Sequence, residues 1–426
     1  MHTSQAEGSD PRIPSPLSYH RALVGHLKAE EPDLWKWFCS TKRREGHAEA
    51  VRLDLLKSTY RLEAGTQPKL YSAAEEVLGK YDLKVPVTFY QAQTGTGMNA
   101  ALAYLPGEAH IILSGPIQTA LSEVELLAVL GHELAHFIFF DKWEGEFLAA
   151  TELLEALCND AVAAPVHVET ARLFRLYGEV FADRGALAVT DDPIAAITTL
   201  IKMETGLNEV SAESYLRQAE EIFSKGQVQA NQLTHPEPYI RARALKLWAD
   251  EGTKAMVAIK NMIEGTCRLD QLDLLKQQKV AETTRRLLAY FLAPSWFHSE
   301  PVLAHARLFF EDFVPGQWGA TSPHSPNVRS KVSDEDETSL ADEIKNADPS
   351  VQDYFCYVLL DFVTVDRELL ETALAAALVL GRQLDLTDRL AEIAQKELGI
   401  GKKQFGKIER EADVLVARAN EVSVKT

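Results

Sequence analysis

Two histidines and a glutamate lie in the middle of an apolar segment, VLGHELAHFIFF, at residues 129–140. Leucine, valine and phenylalanine flank them on both sides, so the pattern predicts a largely buried helix. Unpaired polar groups are costly inside a protein because they lose their hydrogen bonds to water. We therefore expect His132, Glu133 and His136 to have partners elsewhere in the fold.

The spacing of the two histidines predicts a metal site. Residues four apart on a helix share one face, so His132 and His136 can bind one ion together. Glu133 is next to them and could hold the water at the open coordination position. This is the HExxH arrangement, with two imidazole ligands for zinc and a carboxylate as general base. In the alternative interpretation, both histidines hydrogen-bond to neighbouring helices.

The segment LYGEVFADRGALAV, at 176–189, offers a third ligand. Glu179 and Asp183 are four apart on a predicted buried helix, where carboxylates are costly unless they bind a cation or a hydrogen-bond donor. Glu179 as ligand, and Asp183 as acceptor from the second N–H of a ligand histidine, would satisfy both. In the alternative, the carboxylates pair with arginines such as Arg172, Arg175 or Arg184.

Composition limits the class of protein. The 426 residues, 46% of them hydrophobic, can form a sizeable core and divide into two or three domains. A net charge of −18 argues against nucleic acid or an anionic membrane as partner. No secretory signal and no membrane-spanning apolar run are visible, so we expect a cytoplasmic protein. Four widely separated cysteines are predicted to be thiols: Cys39, Cys158, Cys267 and Cys356.

The pattern along the chain predicts several parts. Residues 1–16 are predicted to be a disordered leader and residues 17–59 a helical segment. A domain at 60–250 is expected to hold the metal site. Residues 255–426 are predicted to be a helical accessory domain, interrupted at 314–339 by a long loop or linker.

Local signals place strands and a helix start inside the metal-site domain. VPVTFYQ at 85–91 and AHIILS at 109–114 are rich in branched and aromatic residues and are predicted strands. SEVE, beginning at Ser122, supplies a helix cap followed by acidic residues. We therefore expect the HExxH helix to start at Ser122.

Four ordered segments together resemble a known family. They are TGMNAALAYLPGEAHIILSGPI, HELAH, GEVFADRGAL and LTHPEPYIRARAL. Over about residues 60–250 the chain resembles the HtpX-like and CAAX-prenyl-endopeptidase-like zinc metallopeptidases of the gluzincin type. The resemblance implies a mainly α (α+β) fold. It would comprise a zincin-like helical core with a small β-sheet beside the HExxH helix, followed by a helical C-terminal domain.

The resemblance also implies roles for residues. The glutamate of the family's ExxxD motif is the third zinc ligand and matches Glu179, while the aspartate matches Asp183. The family's Asn-Ala pair before the active-site strand matches Asn99 and Ala100, which we expect to bind substrate. Its THP segment matches the segment that contains His235. Many members carry transmembrane helices and this chain does not, so it resembles a soluble branch.

The implied activity is zinc-dependent endopeptidase, with one zinc ion per chain. Zinc would lower the pKa of a bound water, and Glu133 would take its proton and pass it to the leaving amine. His235 is our candidate donor to the tetrahedral oxyanion. An extended polypeptide could pair with the edge formed by the 109–114 strand and the segment of Asn99 and Ala100. The rival is a non-catalytic, metal-containing regulatory or binding protein, although a structural metal site has no use for Glu133.

The segment at 357–400 is amphipathic, helical and acidic. It weakly resembles the TerB-like tellurite-resistance modules, which implies that Asp361, Asp366 and Glu368 bind a divalent cation. No sharp motif accompanies these residues. We therefore expect a helical accessory or docking domain that could contact a protein partner.

Overall fold

The structure is a computed structural model that describes residues 13–93, 97–159, 162–226, 228–315 and 339–423, without the side chains of residues 41–47. The chain forms two compact units, and the boundary between them lies between Gly265 and Thr266. Most of the predicted leader at 1–16 and of the predicted loop at 314–339 lies outside the described residues, and the predicted domain limits stay predictions. No helix in the described ranges is long and apolar enough to span a bilayer.

The first unit combines twelve described α-helices with one sheet. Its elements as far as the HExxH helix are α1 (Ser18–Glu30), α2 (Pro32–Phe38), α3 (Thr41–Ser58), β1 (Thr59–Leu62), α4 (Pro68–Lys80), β2 (Val87–Ala92), β3 (Asn99–Leu105), β4 (Glu108–Ser114), α5 (Ile117–Ala120) and α6 (Glu123–Asp141). The remaining helices are α7 (Glu146–Cys158), α8 (Pro165–Thr190), α9 (Pro193–Thr205), α10 (Ala212–Ser224), α11 (Pro238–Glu251) and α12 (Met256–Glu264). The mainly α fold with a small sheet is as predicted.

The sheet has the strand order β1-β2-β4-β3. β2 and β4 run parallel, and each outer strand is antiparallel to its neighbour. The two predicted strands correspond to β2 and β4. β4 is an interior strand, so the prediction that the 109–114 segment contributes an open edge is wrong. The edge strands are β1 and β3, and Asn99 and Ala100 begin β3 by pairing with Ser114 and Leu113.

α6 begins where the sequence predicted. The Ser122 hydroxyl accepts from the main-chain N–H of Glu125 at 3.4 Å, and the Glu125 carboxylate accepts from the N–H of Ser122 at 2.8 Å. This reciprocal pair satisfies two amides that the first helical turn leaves free. Lys202 of α9 adds an ion pair to Glu125 at 2.7 Å. The start of the HExxH helix is therefore fixed at its cap.

α6 and α8 pack very closely because glycines lie where they cross. A Cβ atom at Gly185 would be 2.4 Å from the Cβ of Ala135 and 2.7 Å from the Tyr81 hydroxyl. A Cβ atom at Gly131 would be 3.1 Å from the Val189 side chain. The Tyr81 hydroxyl also donates to the Gly131 carbonyl at 2.9 Å. The missing side chains allow polar groups of the two helices to meet.

Gly185→Ala is expected to destabilise the first unit by about 3 kcal/mol, since the new methyl group overlaps Ala135 and forces the helices apart. Gly178→Ala on the same helix is the matched control, because no atom lies within 4 Å of its added Cβ. That control should be neutral, or more stable by up to about 1 kcal/mol through helix preference. Urea unfolding of the full chain measures both. Equal effects would contradict the close packing.

The second unit contains helices joined by loops, and no strand among its described residues. Its helices are α13 (Leu274–Phe291), α14 (Glu300–Phe309), α15 (Leu340–Lys345), α16 (Pro349–Val365), α17 (Leu370–Gln383), α18 (Thr387–Glu397) and α19 (Lys402–Ser423). They enclose their own apolar core, which includes Phe297, Phe355 and Phe362. Asp361, Asp366 and Glu368 form no group that could share a metal ion among the described residues.

Candidate metal centre

The three predicted ligands meet at the crossing of α6 and α8. The Nε2 atoms of His132 and His136 are 3.2 Å apart. Glu179 Oε2 lies 3.5 Å from the Nε2 of His132, and Glu179 Oε1 lies 3.4 Å from that of His136. Ligand atoms that bind a tetrahedral metal at about 2.0–2.1 Å are separated by about 3.3–3.4 Å. The spacing of this group therefore fits a single metal ion.

The chemistry of the donors also fits a metal. Glu179 is 8% exposed, and its Oε2 atom has no hydrogen-bond partner. A buried carboxylate oxygen without a donor is costly, and a cation would satisfy it. Two histidines and a glutamate form a donor set used by catalytic zinc sites, which leave a fourth position for water or substrate. His132, His136 and Glu179 could thus hold the ion.

Asp183 orients one of the ligands. Its Oδ1 atom is 3.1 Å from the Nδ1 atom of His132. A proton on Nδ1 donates to this carboxylate and leaves Nε2 unprotonated toward the other ligands. Burial opposes ionisation of Asp183, but Arg241 and His132 lower its pKa to about 2. Asp183 is therefore a carboxylate at neutral pH and a strong acceptor.

Arg241 of α11 is the site residue that the sequence did not single out. Its Nε and Nη2 atoms donate to the two oxygens of Asp183 at 2.8 and 2.6 Å, and Nη2 is 3.5 Å from Glu179 Oε2. Both carboxylates therefore do face an arginine, as the alternative interpretation expected, but it is none of the three arginines named as examples. Arg172 bonds to Glu169, and Arg184 lies over the Trp248 ring. The quoted segment PYIRARAL contained Arg241, but its spacing alone gave no sign of a partner.

The negative charges of Glu179 and Asp183 are balanced by the nearby Arg241 guanidinium and by the two histidines. Burial raises the pKa of Glu179, but His136, Arg241 and His132 together hold it well below its usual range. Burial lowers the pKa of His132, and the carboxylates of Asp183, Glu179 and Glu133 outweigh this effect and raise it. The carboxylates and the Arg241 guanidinium thus keep each other ionised.

The other predicted residues surround the group. Glu133 is nearly buried, with 6% exposed, and its carboxylate contributes to raising the pKa of His132. The His235 side chain is 53% exposed, and its Nε2 atom lies 3.6 Å from Glu179 Oε1. Asn99 is exposed and Ala100 buried at the start of β3. No hydrogen bond joins these two residues to the three ligands in the described part of the chain.

A helical unit with a small sheet, and an HExxH helix whose histidines face a glutamate of the next long helix, defines the class of zincin-like metallopeptidases. Residues 65–249 match the family model for peptidase family M48. This match to residues 65–249 confirms the family resemblance of the sequence over that part of the chain. No solved structure matches the chain.

A curated relative supports the same assignment. The plastoglobule-localized metallopeptidase 48, chloroplastic, of Arabidopsis thaliana is 26% identical over 159 residues. The match covers 33% of this chain and 45% of the relative. The chain thus spans less than half of that protein's length.

Asp183→Asn is expected to weaken zinc binding by roughly 10- to 100-fold, because the neutral amide orients His132 less well and no longer balances Arg241. Competition with a chromophoric chelator measures the affinity. Asp191→Asn, at the exposed end of α8, removes the same charge away from the ligands and serves as control. Unchanged affinity in both variants would show that Asp183 does not support the metal.

Proposed function

We propose that the first unit is a zinc-dependent endopeptidase that hydrolyses peptide bonds of extended or unfolded polypeptide, with one zinc per chain. The observation that carries the proposal is the group formed by His132, His136 and Glu179, with the nearly buried Glu133 beside it. The M48 domain match supports a peptidase.

Each residue of the centre has its own role in the proposed hydrolysis. A bound zinc ion supplies Lewis acidity, which polarises the scissile carbonyl and lowers the pKa of water. Glu133 takes the proton of the attacking water and delivers it to the leaving amine. His235 donates a hydrogen bond from its Nε2 atom to the oxyanion, and its exposure leaves it accessible to substrate. Asp183 and Arg241 keep the ligands in place.

The sheet edge supports the choice of substrate. β3 is the last strand beside β4, so on its other side no described strand pairs with its main chain. An extended peptide could pair with the free main-chain groups of β3, beginning at Asn99. A polypeptide segment without its own secondary structure has the unpaired main-chain groups that this pairing requires. Unfolded or extended polypeptide is therefore the proposed substrate class.

The proposal also covers the role of the second unit and the cellular location of the enzyme. The second unit is proposed to be an accessory or docking domain that brings a protein partner to the peptidase. The expected cytoplasmic location stays a prediction, and the plastoglobule location belongs to the relative.

The test is metal analysis of the purified full chain beside hydrolysis of unfolded casein. We expect about one zinc per chain, as a site with three protein ligands implies. A chelator should stop hydrolysis, and added zinc should restore it. Hydrolysis that persists after complete metal removal would refute the proposal, and so would a metal-loaded protein that cleaves no unfolded substrate.

A further inference from the structure

The segment that carries His235 belongs to no helix or strand. It joins α10 to α11, and residues 228–237 of it are described. The Thr234 hydroxyl is 2.9 Å from the Nδ1 atom of His235, whose Nε2 atom points toward Glu179. Since regular secondary structure does not fix this loop, contacts with other elements must hold His235 at the metal centre.

Arg172 of α8 supplies such contacts. Its Nη1 atom donates to the main-chain carbonyls of Ala230 and Gln232 at 3.1 and 3.4 Å. Its Nε and Nη2 atoms both donate to the carboxylate of Glu169 at 2.7 Å. Arg172 is 6% exposed, so these bonds form in a nearly dry environment where they are strong. It lies seven residues before Glu179, about two turns along the same helix face.

Two more contacts complete the attachment of the loop. The N–H of Ala230 donates to the carbonyl of Met262 in α12 at 2.8 Å. The N–H of Asn231 donates to Oε1 of Glu237 at 3.0 Å, which ties the start of the loop to the residue before α11. The stretch between these ties carries Thr234 and His235. Arg172 thus links the loop directly to the helix that provides Glu179.

We propose that Arg172 is the positioning residue for His235: its guanidinium, oriented by Glu169, holds the main chain of residues 230–232 and thereby sets the place of His235 beside the ligands. The role of His235 in hydrolysis rests on the proposed function. Arg172 makes four hydrogen bonds through its planar fork, whereas the ammonium group of lysine has three N–H donors and cannot make all four. Charge alone therefore does not replace Arg172.

The first test needs no activity. Hydrogen exchange of the zinc-loaded full chain is compared for wild type, Arg172→Lys and Arg175→Lys. Arg175 lies one turn further along α8 and serves as the matched control. In Arg172→Lys the amides of Ala230 and Asn231 should exchange at least about tenfold faster, while α6 and the rest of α8 stay unchanged. Unchanged exchange in the loop would overturn the proposal.

The second test is a double-mutant cycle with His235→Ala, at matched zinc content. Arg172→Lys alone should lower kcat by roughly 10- to 100-fold with little change in KM, because a misplaced oxyanion donor weakens the transition state. In the His235→Ala background it should have little further effect. A full additional loss would mean that Arg172 acts elsewhere and would overturn the proposal. If the wild-type protein hydrolyses no substrate, the proposed function is refuted. In that case the hydrogen-exchange test alone decides whether Arg172 holds the loop in place.

Discussion

Glu133→Gln is expected to lower peptide hydrolysis by roughly 10²- to 10⁴-fold, the range that general acid–base catalysis contributes. Glutamine has nearly the same shape, so the buried position beside His132 should accept it. It cannot take a proton from water or return one to the leaving amine. Since Glu133 is not one of the three grouped ligands, zinc content should stay at the wild-type level.

The measurement is hydrolysis of unfolded casein at matched zinc occupancy. Glu123→Gln, at the exposed first turn of the same helix, is the control and should keep full activity. Equal turnover by wild type and Glu133→Gln would show that the base lies elsewhere. If neither cleaves any substrate while both bind the same partner, the regulatory or binding interpretation is the better one.

Glu179→Gln and His136→Ala are each expected to reduce zinc affinity by more than the roughly 100-fold that losing an outer partner of a ligand costs. Each change removes one of three protein ligands, and Glu179→Gln also removes the negative charge that faces Arg241. Hydrolysis should fall with the loss of metal. Zinc content after dialysis, followed by chelator competition, gives the two affinities.

The ranking of variants tests the assignment of roles. Zinc affinity should be lowest in Glu179→Gln and His136→Ala, intermediate in Asp183→Asn, and unchanged in Glu133→Gln. The fold should survive in all four, which circular dichroism checks. A Glu179→Gln protein that keeps its zinc while Asp183→Asn loses it would reverse the roles of the two carboxylates.

Much of the site could be predicted because it depends on spacing within single helices. His132 and His136 are four residues apart, as are Glu179 and Asp183, and helical periodicity places each pair on one face. The capping residues Ser122 and Glu125 interact within one helical turn, so the helix start could also be predicted from the sequence. Whether Glu133 and His235 perform the proposed chemistry stays a prediction.

Other features lay beyond local patterns. β3 was missed because its sequence, NAALAYL, is rich in alanine, which has a low preference for strands. It becomes a strand through its pairing with β4, and that pairing also turns β4 into an interior strand. The location of the sheet edge therefore depends on which strands pair, and this is a property of the whole sheet.

The sequence by itself determined which residues form the candidate metal centre, since the residue types and their helical spacing are local properties of two segments. Only the tertiary structure decided which arginine balances Asp183, because Arg241 is separated from it by 58 residues. It likewise decided that Arg172 holds the His235 loop, and that Gly185 lies where α8 contacts α6. Contacts between distant residues depend on how helices cross, and side-chain periodicity within one helix carries no information about its partner.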